Sequence, residues 1–307
     1  MARLDGKVAI VTGAGQEVGR GIALALAAEG AAVVVTGRTL AKCEAVASEI
    51  TGRGGRASAV GCDVESREEV DAMIASALAA FGHLDIVVNN AQSLVYKSVR
   101  KITEDDMNSM WQSGPMGTLR VMQAAHDALR ASRGCVINLS SGSSILPHPA
   151  MSGYAMAKEA IRVLTRVTAL EWGRAGIRVN AICPLAETPG WEFFKGETPG
   201  SEAQVLSAIA LGRHGRPRGR YRSRCGVPGQ RRCCLRHRHH ADGRRRLQLF
   251  TITRTGSMAG LRRGDGDGDG GHAGHGADGL EVDGHAEQHV HVGADRFAGA
   301  VGILIGR

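Results

Sequence analysis

The chain has no run of about 20 apolar residues, the length a helix needs to cross a bilayer, so no membrane partner is expected. The N-terminus runs directly into an apolar strand signal, without the basic and apolar leader of a secreted protein. None of the seven Cys falls in a Cys-x-x-Cys pair, and no metal site is expected. Cys43, Cys62, Cys135 and Cys183 stand singly in apolar surroundings, as reduced core cysteines of a cytoplasmic protein do. Aromatic residues make up only 4% of the chain. The Arg-rich stretch 213–246 contains Tyr221 as its one aromatic side chain, so bases would find no stacking platform and nucleic acid is not supported as a partner. The Gly/Asp alternation of 264–270 resembles the start of a calcium loop, but the twelfth position from Asp265 is Gly276, where the bidentate Glu should be.

Lysine is also missing after Lys195, and charge changes character soon afterwards. Residues 1–211 hold 20 Lys+Arg against 21 Asp+Glu; residues 212–263 hold 16 Arg against Asp242 alone; residues 264–307 hold 2 Arg against 8 acids. The formal net charge of +8 is therefore a property of the tail, not of the front. The expected organisation is one domain over 1–211 and a disordered tail over 212–307, Arg-rich and then Gly/Asp/His-rich. A shift of reading frame at about residues 216–218 would produce such a break. GC-rich codons for 218–243, read one base out of phase, can encode an apolar helix and strand. Sequencing the DNA across codons 212–220 tests this, and a reproducible in-frame read would sink it.

Over 1–211, apolar runs alternate with helical periodicity. Strands are expected at 7–11, 32–36, 57–61, 84–88, 135–139 and 177–182. Helices are expected at 19–29, 40–52, 67–81, 104–130, 153–173 and 201–210, with a kink at Pro115. The alternation predicts an α/β fold, a doubly wound parallel sheet of Rossmann type in a single domain, with its site outside the carboxyl ends of the strands.

Two local patterns carry chemistry. The strand Lys7–Val11 leads into the turn Thr12-Gly13-Ala14-Gly15-Gln16-Glu17-Val18-Gly19 and then an Ala/Leu-rich helix. This order brings backbone amides and a helix N-terminus to a pyrophosphate. Tyr154 and Lys158 lie four apart, on one helical face, with Ser141 thirteen residues upstream. A neighbouring ammonium lowers a phenol's pKa, giving an acid/base group suited to carbonyl–alcohol interconversion. After the second strand, Thr36-Gly37-Arg38-Thr39 contains no carboxylate for ribose hydroxyls; Arg38 can instead pair with a 2′-phosphate, which favours NADP and leaves NAD possible.

From about Leu4 to Arg216 the chain resembles the short-chain dehydrogenase/reductase family, as a divergent member with an aberrant C-terminus. Thr12, Gly13 and Gly19 match its cofactor turn, Cys62-Asp63-Val64 its adenine segment, and Asn89-Asn90-Ala91 most of its Asn-Asn-Ala-Gly element. Arg178 to Pro184 matches the strand before the nicotinamide loop, and Thr188 falls near that loop's Thr. The resemblance implies Ser141, Tyr154 and Lys158 as catalytic residues. It implies Gly13, Gln16, Val18, Gly19, Arg38, Asp63, Val64, Asn90, Ala91, Tyr154, Lys158, Pro184 and Thr188 as cofactor-binding residues. It also implies a small carbonyl or secondary-alcohol substrate, hydride transfer with a nicotinamide cofactor, and a homo-oligomer.

Three positions depart from the family pattern. Glu17 replaces a glycine of the turn, either obstructing phosphates or pointing outward at a helix N-terminus. Gln92 replaces the glycine after Asn89-Asn90-Ala91, and Gly114 stands where the family commonly has a catalytic Asn, with Ser113 as its neighbour. Besides a working oxidoreductase, these leave open a protein that binds dinucleotide with weak or no catalysis.

Overall fold

The computed structural model describes residues 2–145 and 148–185, with Gly196 and short strand pieces at 250–251, 288–289 and 291–293. The expected helix 201–210, Thr188, and the remainder of the tail lie outside the described residues.

Six strands follow the apolar runs: β1 (Val8–Thr12), β2 (Ala32–Gly37), β3 (Arg56–Gly61), β4 (Ile86–Asn89), β5 (Cys135–Leu139) and β6 (Arg178–Leu185). They pair in parallel in the order β3-β2-β1-β4-β5-β6. Connections run outward from β1 in one direction and from β4 in the other, so the strand order reverses between them. That is the switch point at which doubly wound sheets bind ligands. The last strand extends beyond the expected 182 because Cys183–Leu185 pairs with a further short strand at His291–Gly293.

Side chains alternate across the sheet. Ala9, Val11, Val33, Val35 and Ile137 face a core closed by α1 (Glu17–Ala28) and α2 (Leu40–Gly52). Val8, Ile10, Val34 and Val136 face the opposite core, closed by α3 (Arg67–Phe81) and α5 (Gly117–Ser132). Helix starts and stops follow local chemistry. Ser66 accepts from Glu69 N to cap α3, which ends at Gly82 with a left-handed φ of 82°. Thr103 and Asp106 form a reciprocal capping box on α4 (Glu104–Trp111).

The single helix expected over 104–130 is corrected. It divides into α4 and α5 around a π-helical segment, Gln112–Met116, in which Ser113, Gly114 and Pro115 are buried. Proline lacks an N–H, so the regular i→i+4 ladder cannot pass through 115, and the wider turn absorbs the break.

Helix α6 (Ser152–Trp172) is tied to the sheet by buried amides. Asn89 and Asn138 are paired residues of β4 and β5. Asn89 Nδ2 donates to Asn138 Oδ1 at 2.8 Å, Asn138 Nδ2 donates to Thr165 Oγ1 at 2.9 Å, and Thr165 donates to Ile161 O at 2.7 Å. This line of bonds fixes the helix carrying Tyr154 and Lys158 against the strand leading to Ser141.

Candidate active site

The turn after β1 is closed from below by the turn after β4. Thr12 Oγ1 accepts from Asn90 N at 3.0 Å and from Ala91 N at 3.1 Å. Asn90 Nδ2 donates to the carbonyls of Thr12 and Gly13 at 3.0 and 3.1 Å. The packing leaves no room for side chains: a Cβ on Gly13 would lie 3.0 Å from Ala91 Cα, and one on Gly19 would lie 2.6 Å from Asn90 Nδ2. No side chain caps α1, so its first N–H groups are left for a ligand. This cradle of glycines and uncapped amides fits a dinucleotide pyrophosphate. The Asn90 side chain is spent on shaping the turn, so it supports that cradle from behind.

Glu17 is exposed, begins α1, and holds a left-handed φ of 47°. Its carboxylate is exposed at the helix N-terminus, and burial first, then its charge, raises the Tyr96 phenol. Gln16 is exposed and accepts from Lys42 Nζ at 2.7 Å, while Val18 packs against the core. Arg38 is exposed at the end of β2. Asp63 accepts from Glu65 N at 3.0 Å, and Val64 is buried against Gly117. Pro184 lies half-buried in β6.

Ser141, Tyr154 and Lys158 come together beyond the carboxyl end of β5. Ser141 begins a short 3-10 turn, Gly142–Ser144, and accepts from Ser143 N at 3.2 Å. Its hydroxyl also bonds the Tyr154 phenol and favours the ionised form. Burial outweighs that bond and pushes the phenol up to about 12. Lys158 is 3% exposed, and burial brings its ammonium down to about 8. Its Nζ donates to Leu139 O at 2.7 Å and lies 5.5 Å from the centre of the Tyr154 ring.

The expected lowering of the phenol by Lys158 is therefore corrected. Both groups are desolvated, which disfavours charge on each, and the lysine's direct hydrogen bond goes to a carbonyl. At neutral pH the site holds a phenol, the form that donates a proton.

Two residues at the site carry no sequence signal of a role there. Tyr96, in the loop after β4, is near enough to both Glu17 and Tyr154 to be coupled to them electrostatically. Cys183 is buried beside Lys158 and Tyr154, its thiol raised to about 11 chiefly by burial. Tyr96 belongs to no local pattern, and Cys183, within the matched strand Arg178 to Pro184, carries only the mark of a core cysteine; the loop path and the strand's end bring them to the phenol.

A parallel sheet with a glycine turn at its switch point, and a Ser, Tyr and Lys set at the carboxyl ends, define a nucleotide-binding oxidoreductase. The chain belongs to the short-chain dehydrogenase family, whose model matches residues 7–190. It is 37% identical to a 12alpha-hydroxysteroid dehydrogenase of Clostridium sp. over 225 residues, 71% of this chain and 87% of that protein. It is 35% identical to a hydroxynaphthalene reductase-like protein of Metarhizium acridum over 210 residues, 66% of this chain and 79% of that protein. A crystal structure of a putative short-chain alcohol dehydrogenase from Sinorhizobium meliloti superposes with a TM-score of 0.65 at 32% identity, covering 70% of this chain and 85% of the other. Membership implies a nicotinamide cofactor and a small-molecule substrate. Among the described residues no helix is long and apolar enough to cross a membrane.

Proposed function

We propose that the protein is an NADP-preferring reductase or dehydrogenase that interconverts a carbonyl and a secondary alcohol in the cytoplasm. The observation that carries this reading is the convergence of Ser141, Tyr154 and Lys158 beyond the carboxyl end of β5, in a sheet whose switch point carries the glycine turn. The nicotinamide, when bound, supplies or accepts the hydride. Tyr154 gives the substrate oxygen its proton in reduction and takes it back in oxidation. Ser141 orients that oxygen, and Lys158 holds the nicotinamide ribose. Gly13, Gln16, Val18 and Gly19 receive the pyrophosphate; Asp63 and Val64 lie on the adenine side, and Asn90, Ala91 and Pro184 on the nicotinamide side, to which the family resemblance also assigns Thr188. Arg38 meets the 2′-phosphate, since its end of β2 offers no carboxylate to ribose hydroxyls.

The names of the relatives point to fused-ring substrates, so the ketone panel should include steroid and naphthalene derivatives. Titration of the full-length chain with NADPH and NADH, followed by nicotinamide fluorescence, should give saturable binding with NADPH preferred. Tyr154→Phe should keep that binding and lose about 10²–10⁴ in turnover. No binding of either nucleotide would sink the proposal. Binding without turnover on any ketone would leave the second reading, a dinucleotide-binding protein with little catalysis. The strained Glu17 and the bare Gly114 favour that reading.

A further inference from the structure

The turn after β4 and the π segment between α4 and α5 have exchanged a side chain. Position 114 is glycine, and a Cβ there would fall on Oε1 of Gln92 and lie 2.8 Å from its Cδ and Nε2. The Gln92 amide thus occupies the place of a side chain at 114. Its Nε2 donates to Met110 O at 2.8 Å and to Ser93 O at 3.1 Å. Met110 lies in the last turn of α4, just ahead of the π segment, so the Gln92 amide adds a side-chain donor to a carbonyl beside the break at Pro115.

The same side chain reaches the candidate catalytic helix through Met110. Met110 is fully buried. A Cβ on Gly153 would fall on the Met110 methyl and lie 2.8 Å from Met107 Sδ. Gly153 immediately precedes Tyr154 in the first turn of α6. In the other direction, Gln92 follows Asn90 and Ala91, whose backbone amides are fastened to Thr12 under the glycine turn. One amide therefore joins the wall of the nucleotide cradle to the helix that presents the phenol. Packing alone does not account for it. Gln92 Oε1 is buried with no hydrogen-bond partner among the described residues, an unfavourable state that a methionine of similar length would avoid while filling the same place.

We propose that Gln92 is a positioning residue for Tyr154, acting through Met110 and Gly153, and that Gly114 is glycine to admit it. The inference rests on the reading of Tyr154 as the proton donor. The test compares full-length wild type with Gln92→Met, Gly114→Ala and the double variant Gln92→Ala/Gly114→Ala. Gln92→Met should leave KM and NADPH affinity within about twofold, lower kcat about tenfold, and shift the pH profile of kcat. Gly114→Ala should lower both kcat and the thermal midpoint. The double variant should regain part of the midpoint, because the collision is gone although the two Gln92 hydrogen bonds are lost, but not kcat.

A Gln92→Met variant with wild-type kcat and pH profile would overturn the positioning role. A double variant no more stable than Gly114→Ala would overturn the exchange. If wild type turns over no carbonyl at all, the proposed function fails, and the stability comparison still decides the exchange. The positioning role is then read by NMR of tyrosine-labelled protein, whose three tyrosines include one resonance that Tyr154→Phe identifies. A shift of that resonance in Gln92→Met supports the positioning role, and an unmoved resonance overturns it.

Discussion

Lys158 combines a charge with almost complete burial, and the two conflict. Its ammonium titrates at about 8 in the fold against 10.5 for a free lysine, because burial opposes the charge. Below about pH 8 folded and unfolded chains both carry the proton, and the fold bears the full cost of burying it. Between about 8 and 10.5 only the unfolded chain keeps the proton, so stability rises with pH across that window. Tyr154 acts in the opposite sense at higher pH. Its phenol is raised to about 12 from 10, so above pH 10 the unfolded phenol ionises first and stability falls. Lys158→Met keeps the apolar stem without the charge. It should be more stable than wild type at neutral pH, with the difference in thermal midpoint closing as pH rises from about 8 to 10. A difference independent of pH would show that the ammonium is not desolvated. The spacing of Tyr154 and Lys158 was enough to pair them in the sequence. It could not reveal the direction of their shifts, because spacing reports a shared face and not what covers it.

At the scale of elements, sequence and backbone disagree at the turn from β1 to α1. The left-handed φ of 47° at Glu17 is a conformation that glycine adopts freely and that costs other L-residues about 1–2 kcal/mol. The exposed carboxylate also stands beside the amides that face phosphates, where its repulsion of a second anion offsets any help it gives the helix dipole. Glu17→Gly should therefore raise the thermal midpoint and tighten NADPH binding several-fold, measured by melting and by fluorescence titration. A fall in both would show that the carboxylate is needed by the turn.

The strands and most helices were legible because period-2 and period-3.6 patterns are local. Pro115 signalled the break in the long helix. The π segment itself was not legible, because a proline announces that the helix breaks but not whether a kink or a wider turn absorbs the break. The candidate site divides in the same way. Ser141, Tyr154, Lys158 and the glycine turn stand in motifs, whereas Tyr96 and Cys183 reach the phenol only through the course of the loop after β4 and the end of β6.

Across the whole molecule, α6 presents two unlike faces. Ile161, Thr165 and Thr168 are buried on one side. On the other, Met156, Val163, Val167 and Leu170 are 55%, 48%, 46% and 61% exposed. Their spacing of seven, four and three residues places them in one stripe along the helix. The spacing of these residues is a property of the sequence, but only the sheet shows which side of the helix it covers. A contiguous apolar stripe on a helix is the kind of surface that a second copy covers, and a two-fold pairing sets the same stripe on both subunits against itself. We therefore propose that the protein forms a homo-oligomer through α6. Sedimentation velocity should find wild type as a dimer or larger. Val163→Glu/Leu170→Glu, which brings like charges together at the stripe, should shift it toward monomer. Tyr154 and Lys158 lie near the start of the same helix, held from inside by Thr165 and Asn138. Loss of the oligomer should therefore lower the thermal midpoint and turnover together. An unchanged sedimentation coefficient in the double variant would place the contact elsewhere, and a monomeric wild type would remove the oligomer altogether.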